Sequence, residues 1–233
     1  GKMNPKWTAF GQDPQGNDII YNNATCATQY VIDLLINAQD PRIDFIYEEP
    51  LNGHLGVRQG ETDYDNPIVD QWIPANVSNM GPGILQGPEQ AAVLITAAEV
   101  YFNQAEAAFK GLLPGDAQAF YEAGIQASFN YLGSGDATSY YSNSIDLVNW
   151  ATSGNKLEAI ITQKWIATNC IDAIQSWFDY SRTGYPANLP VSALATTPDR
   201  PVRLAYPVSE ITNNGENLPP QPNVFTDKIF WAN

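Results

Sequence analysis

The feature that most constrains this chain is a run of small and large apolar residues at helical spacing from residue 88 to 111. Gly87-Pro88-Glu89 suits a helix start, because proline fits the first turn and an acid fits the positive end of the helix dipole. The expected buried face is Ala91, Leu94, Ile95, Ala98, Phe102, Ala105 and Phe109. The alanines at 91, 98 and 105 recur every seven residues and leave a smooth stripe where a second helix can approach closely. Gly111 and Pro114 end the run. Asp116 then caps a second helix predicted over 117–132, with Phe120, Tyr121, Gly124, Ile125, Ser128 and Leu132 on its inner face. So short a connection makes the two helices antiparallel neighbours.

The same logic gives a second pair. A shorter helix is predicted over 138–151. Asn155 and Glu158 have the spacing of a capping box and start a helix carrying Leu157, Ile160, Ile161 and Trp165. Ile171, Ile174, Trp177 and Phe178 continue as a further helix, stopped by Gly184 and Pro186. Trp165, Trp177 and Phe178 read as core residues. Paired helices with alternating large and small residues predict tetratricopeptide-like packing, although the offset between pairs exceeds the ~34 residues of a regular array.

The flanks are less regular. Residues 1–23 read as polar turns. A helix is predicted over 24–39, capped by Asn23 and stopped by Asp40-Pro41, with Cys26, Tyr30, Val31, Leu34 and Leu35 facing inward. Residues 41–87 lack helical period and are punctuated by Pro and Gly. A loop segment this long is either functional or disordered, and its aromatic content argues against disorder. Residues 185–233 read as coil that wraps the helices and ends on Phe230-Trp231 as an anchor. The expected organisation is therefore a single mainly α domain over 1–233. It holds one helix plus a loop-rich ligand-binding segment (1–87), a helical core (88–184) and an irregular tail (185–233).

Composition narrows the function. The chain has 11 Lys+Arg against 25 Asp+Glu, a net charge of −14, so nucleic acid is not an expected partner. Charged residues are 15%, well below the usual quarter, and aromatics are 12%. Such a surface offers amides and rings, which suits neutral polar ligands such as sugars. No stretch approaches the ~18 apolar residues of a membrane span. Cys26 and Cys170 read as two buried free thiols, with one long-range disulfide as the alternative. His54, the single histidine, sits near glycines and reads as a surface residue. Asp13, Asn17 and Asp18 lack EF-hand spacing and read as a solvated turn. Glu99 and Glu106 are seven residues apart, about 10.5 Å along a helix. That is just outside the carboxylate separation of a glycosidase, so they read as acceptors tying helices to loops. No catalytic residue, metal site or cofactor is assigned.

Sugar binding needs flat aromatic faces flanked by amides, carboxylates or arginine. The candidate platforms are Tyr47, Tyr64 and Trp72, with Trp7 as a further loop aromatic. Asn52, Arg58, Asp70, Gln71 and Asn76 are their polar neighbours. At least one of Tyr64 and Trp72 is expected to stack on ligand. The alternative is that these rings pack the long loop onto the helices.

Several motifs carry a resemblance. Glu99, Phe102 and Ala105-Glu106-Ala107 lie on the first helix, and Tyr121, Gly124-Ile125 and Ser128 on the next. Ile161, Gln163-Lys164-Trp165 and Ala167 follow, then Trp177 with Arg182-Thr183-Gly184-Tyr185-Pro186. Arg203, Tyr206-Pro207, Ser209-Glu210 and Asn213, Asn214 and Asn217 come next, and the chain ends on Lys228 and Trp231. In this order they resemble the SusD/RagB family. Ser181 stands where the family has the first of two arginines, and Val202 replaces the first of another pair. Members are much longer, so the chain resembles a C-terminal portion without the N-terminal half, signal peptide and lipid-bearing cysteine. The resemblance implies a SusD-like fold and a lipid-anchored, surface-exposed outer-membrane lipoprotein of Bacteroidetes. Such a protein captures an oligosaccharide or other nutrient and passes it to a SusC-like TonB-dependent transporter without cleaving it. The membrane contact is through an N-terminal anchor absent from this chain. The alternatives are a peptide-binding scaffold and a glycoside hydrolase.

Overall fold

Where the backbone hydrogen bonds go decides where each helix begins. In the computed structural model, which describes residues 3–62 and 71–230, the long helix starts at Ala97 rather than at Pro88. Asn4 takes the carbonyls that an earlier start would need. Its N–H donates to Pro88 O at 2.8 Å and its side-chain amide to Gln90 O at 2.9 Å. Thr96 then caps the helix by accepting from the Glu99 N–H. Leu94 and Ile95, expected inside, are 92% and 58% exposed.

Ten helices are described. They are α1 (Pro5–Phe10), α2 (Ile20–Asn23), α3 (Gln29–Asn37), α4 (Ile43–Ile46) and α5 (Ala97–Phe109), followed by α6 (Ala117–Leu132), α7 (Thr138–Tyr141), α8 (Lys156–Thr168), α9 (Ala173–Thr183) and α10 (Val208–Asn214). Among the described residues, β structure is limited to isolated bridges. Such bridges shorten the predicted 24–39 helix. Ala27 N–H donates to Ser78 O and Val57 N–H to Ala27 O, so residues 26–28 are extended and α3 begins one turn late. The 138–151 helix likewise stops at Tyr141. The carbonyls of Leu147 and Val148 accept from the Tyr121 hydroxyl, and that of Leu147 also from Gln163. Residues 1–23, read as turns, hold α1 and α2. The tail, read as coil, holds α10.

The core is the pair α5–α6 with α8 packed across it. Ala98, Phe102 and Ala105 of α5 meet Tyr121, Ile125 and Phe129 of α6, all at most 2% exposed. Gly124 makes this approach possible, since a Cβ there would lie 2.8 Å from the Phe102 ring. α8 and α9 form the second hairpin. Asn155 caps α8 through the Glu158 N–H, and Gly184 ends α9 in the left-handed conformation at φ 75°.

A guanidinium sits at the centre. Arg42 is 0% exposed. It donates to both oxygens of Asp40, to Ser128 Oγ of α6 at 3.0 Å and to Gln163 Oε1 of α8 at 2.6 Å. Its Cζ lies 5.1 Å from the Phe129 ring centroid and 5.4 Å from that of Tyr140 on α7. α6, α7 and α8 all touch this one group.

A second polar cluster ties α5, α8 and α9. Glu106 takes a two-pronged ion pair from Arg182, which also holds Asp179, while Asp179 pairs with Lys164 at 2.7 Å. Lys164 reaches Asn103 at 2.8 Å. Glu106 is an acceptor, as expected, but it ties α5 to another helix, α9, rather than to a loop. Burial alone would raise the Glu106 carboxyl, but the hydrogen bonds from Arg182 and Lys110 outweigh it and hold the group below its ordinary value. At Glu99 burial prevails and the carboxyl rises.

Further expectations for the apolar residues need correction, and Phe109, expected inside, is 45% exposed. Phe178 is 42% exposed and Ile174 64%, because α9 turns that face outward. Phe230 is 99% exposed and anchors nothing, and Trp231 lies outside the described residues. Cys26 and Cys170 are free thiols, as read, but only partly buried.

Two predictions follow from the clusters. Arg42→Met leaves Asp40 as an uncompensated buried charge and should cost about 3–5 kcal/mol in chemical denaturation. Glu106→Gln should cost about 1–3 kcal/mol at neutral pH. A carboxyl whose folded pKa is depressed stabilises above its unfolded value and loses that contribution as pH falls through the folded one. The gap between wild-type and Glu106→Gln melting midpoints should therefore close on acidification below the ordinary value of 4.5.

Candidate functional site

Gln163 faces the Arg42 cluster. Trp165, two positions on, points to nearly the opposite side of α8. There its half-buried indole borders three adjoining hollows of about 230, 260 and 210 Å³. The outer hollow is walled by Tyr30, Arg58, Gln59 and Arg200, the second by Asn169, Ser176, Trp177 and Tyr180. The inner one reaches Tyr47, Met80, Cys26 and Cys170. Together they make a trough with Trp165 at its junction.

The rings are held at fixed angles. Tyr30 meets Trp165 edge to face, with centroids 6.0 Å apart and planes at 83°. Trp177 and Tyr180 lie 6.5 Å apart at 31°. The Tyr30 hydroxyl donates to Ala187 O at 2.8 Å. Burial, aided by Glu158, pushes its pKa up to about 12, so it stays a neutral donor at physiological pH. The tail builds the outer wall. Ala193 N–H donates to Gln59 O at 2.8 Å, and Arg200 donates to the Pro190 carbonyl with its Cζ 5.5 Å from the Tyr180 ring centroid. The arrangement can take the apolar faces of a sugar ring on indole and phenol, and its hydroxyls on amide, hydroxyl and guanidinium groups.

The residues singled out from sequence are distributed differently. Tyr47 is 4% exposed, and its hydroxyl accepts from Asn169 Nδ2 at 2.8 Å. It is a core residue at the inner end, not a stacking platform. Trp7 lies on α1 with its ring against Gly11. Trp72 is half-buried, and its Nε1 has no hydrogen-bond partner. Asn76 is half-buried, its N–H donating to Ile73 O at 2.9 Å. None of Trp7, Trp72 and Asn76 lines the trough. Tyr64 and Asp70 lie outside the described residues. Of their polar neighbours, Arg58 does line it. Trp165, read as core, was missed because α8 is buried almost all round, including polar Thr162, Gln163 and Lys164. Periodicity cannot pick out the one position between 159 and 168 that is not fully buried.

His54 is not the surface residue expected. Its side chain is 7% exposed, with Nδ1 3.0 Å from Ser78 Oγ and Nε2 2.9 Å from Asp44 Oδ1. The residue types are those of a hydrolytic triad, but the burial is inverted. Ser78 is 0% exposed and also accepts from the Leu55 N–H, whereas the Asp44 side chain is 62% exposed. A nucleophile must meet its substrate, and this hydroxyl cannot. The trio fastens α4 to the loops at 54 and 78. Asp13, read as part of a turn, accepts from Gln15 and Asn17 as a local cap. Among the described residues, no cluster of three or more His, Cys, Asp or Glu could hold a metal ion, and no helix is long and apolar enough to cross a membrane.

A SusD-like family, described as starch-binding and associating with the outer membrane, matches residues 5–207. A SusD homologue from Bacteroides vulgatus is 26% identical over 93% of this chain and 48% of its own, at a TM-score of 0.68. A chitin-binding SusD homologue from Flavobacterium johnsoniae is 27% identical over 88% of this chain and 49% of its own, also at 0.68. A homologue from Bacteroides uniformis shares the fold at a TM-score of 0.74 and 24% identity, over 99% of this chain and 54% of its own. The chain thus spans about half the length of these solved relatives. No curated protein matches it.

A fluorophosphonate probe should leave the wild type unlabelled. Ser78→Ala should lower stability by about 1–2 kcal/mol in denaturant titration, as expected for a lost hydrogen-bonding group.

Proposed function

Because the chain belongs to the SusD-like family, we propose that it binds oligosaccharide in the Trp165 trough as the capture part of a nutrient-uptake protein of the outer membrane. One observation carries this reading, namely that indole and phenol rings are held at fixed angles beside amide and guanidinium groups. The principal stacking contact falls on Trp165, with Trp177 and Tyr180 continuing the ring surface. Tyr64, Trp72, Asp70 and Asn76 are secondary contact candidates. The captured sugar passes intact to a SusC-like TonB-dependent transporter. The full-length protein is lipid-anchored and exposed at the cell surface. The family description and the chitin-binding relative support a saccharide ligand.

A peptide-binding scaffold is favoured by one feature. A groove of about 750 Å³ runs between α9 and the tail, lined by Ile174, Trp177, Phe178, Val202 and Leu204. It is almost wholly apolar, which suits a peptide better than a sugar.

Isothermal calorimetry with starch- and chitin-derived oligosaccharides separates the two. Trp165→Ala should weaken sugar binding at least about tenfold, or 1.4 kcal/mol, with the sugar recovered intact. Phe178→Ser should leave it unchanged. Equal affinity of wild type and a folded Trp165→Ala, or loss only in Phe178→Ser, overturns the proposal.

A further inference from the structure

The outer hollow of the trough departs from the rest of the molecule in its charge. The chain carries 25 Asp+Glu against 11 Lys+Arg, yet among the described residues no carboxylate lines this hollow and two arginines do. Resting on the proposed saccharide reading, we infer that the ligand carries an anionic substituent, a carboxylate or sulfate, received between Arg58 and Arg200.

Other cations are neutralised or bound to carbonyls outside this hollow. Arg42, Lys110, Lys164 and Arg182 each pair with a carboxylate, and Lys6 and Lys156 donate to backbone carbonyls. Arg200 has no carboxylate partner among the described residues. It donates through Nη2 to the Pro190 carbonyl and lies near the Tyr180 ring, which fixes the guanidinium without neutralising it. Arg58 meets Glu61 at 3.5 Å from a side chain that is 66% exposed. A contact that long and that wet contributes little, and a better-placed oxyanion displaces it. Asp33 stands nearby but is taken up by the Gln29 amide at 2.7 Å, outside the lining.

The chemistry follows from the donors. A guanidinium presents paired N–H groups that match carboxylate and sulfate oxygens, and such charge-assisted bonds are about twice as strong as neutral ones. Sugar hydroxyls alone leave Arg200 without a counter-charge and Arg58 with only its long contact to Glu61. An acidic saccharide uses them while its ring faces Trp165 and Tyr30, and the Gln59 amide remains for a hydroxyl. Selectivity thus resides in the two arginines, and the stacking energy in the rings.

Calorimetry on the full chain tests this with matched pairs. One arm compares an oligogalacturonate with its carboxyl-reduced form. The other compares a chondroitin sulfate oligosaccharide with its desulfated form. At least one acidic member should bind about tenfold more tightly than its counterpart, in line with a charge-assisted contact. The arm showing the preference tells carboxylate from sulfate. In an Arg58→Gln/Arg200→Gln variant with an unchanged melting midpoint, the ratio of affinities between the acidic member and its counterpart should collapse, whatever the change in affinity for the counterpart itself. If neutral saccharides bind and acidic ones gain nothing, or the preference survives the double variant, the inference falls and the saccharide reading stands. Should no saccharide of either kind bind, both fall together.

Discussion

Arg42 holds a full positive charge where water does not reach, and the surrounding architecture is arranged to make that tolerable. Asp40 neutralises it, Ser128 and Gln163 accept hydrogen bonds from it, and Phe129 and Tyr140 cover its faces. The partners come from the segment after α3 and from α6, α7 and α8. Bringing them together therefore fixes α6, α7 and α8 relative to the segment that follows α3. Gln163 extends the arrangement, since its amide donates to the Tyr140 hydroxyl and to the Leu147 carbonyl. A core built on apolar contact alone could slide along α8. One that must satisfy a buried guanidinium has a single register.

The ion cluster of Glu106, Asp179, Lys164 and Arg182 plays the corresponding part for the second hairpin. It sets α9 against α5 and α8, and with it the position of Trp177 and Tyr180 relative to Trp165. The trough is thus the outer side of a scaffold whose inner side is fixed by charge. Its third wall comes from the tail, tied through Tyr30 and Gln59 backbone and side-chain bonds. The binding surface combines rigid helical rings with a loop wall, which suits a receptor that must hold a ligand without reorganising.

Much of this was legible in the chain itself. Asp116, Asn155 and Gly184 mark helix ends as local chemistry requires, and the alanines at 98 and 105 mark where α5 admits a neighbour. The illegible parts share one cause, which is that a distant residue overrides a local preference. Asn4 removes the first turns of the helix that Pro88 announces. Ser78 and Asp44 draw His54 inward from a glycine-rich loop. At the site, Arg58 was visible as a polar neighbour of the wrong rings. Tyr47 was chosen for its loop, but that loop folds under α8. Trp165 looked like core because helix periodicity does not distinguish a side chain facing protein from one facing a cavity.

Because Gln163 and Trp165 stand two residues apart on one helix, the fold and the binding surface share a single structural member. A genetic screen for lost ligand capture would accordingly recover substitutions at Arg42, Asp40, Ser128 and Gln163 beside those at Trp165 and Tyr180. The two groups would look alike in a binding phenotype and differ in protein abundance, since only the first lowers the amount of folded chain in the cell.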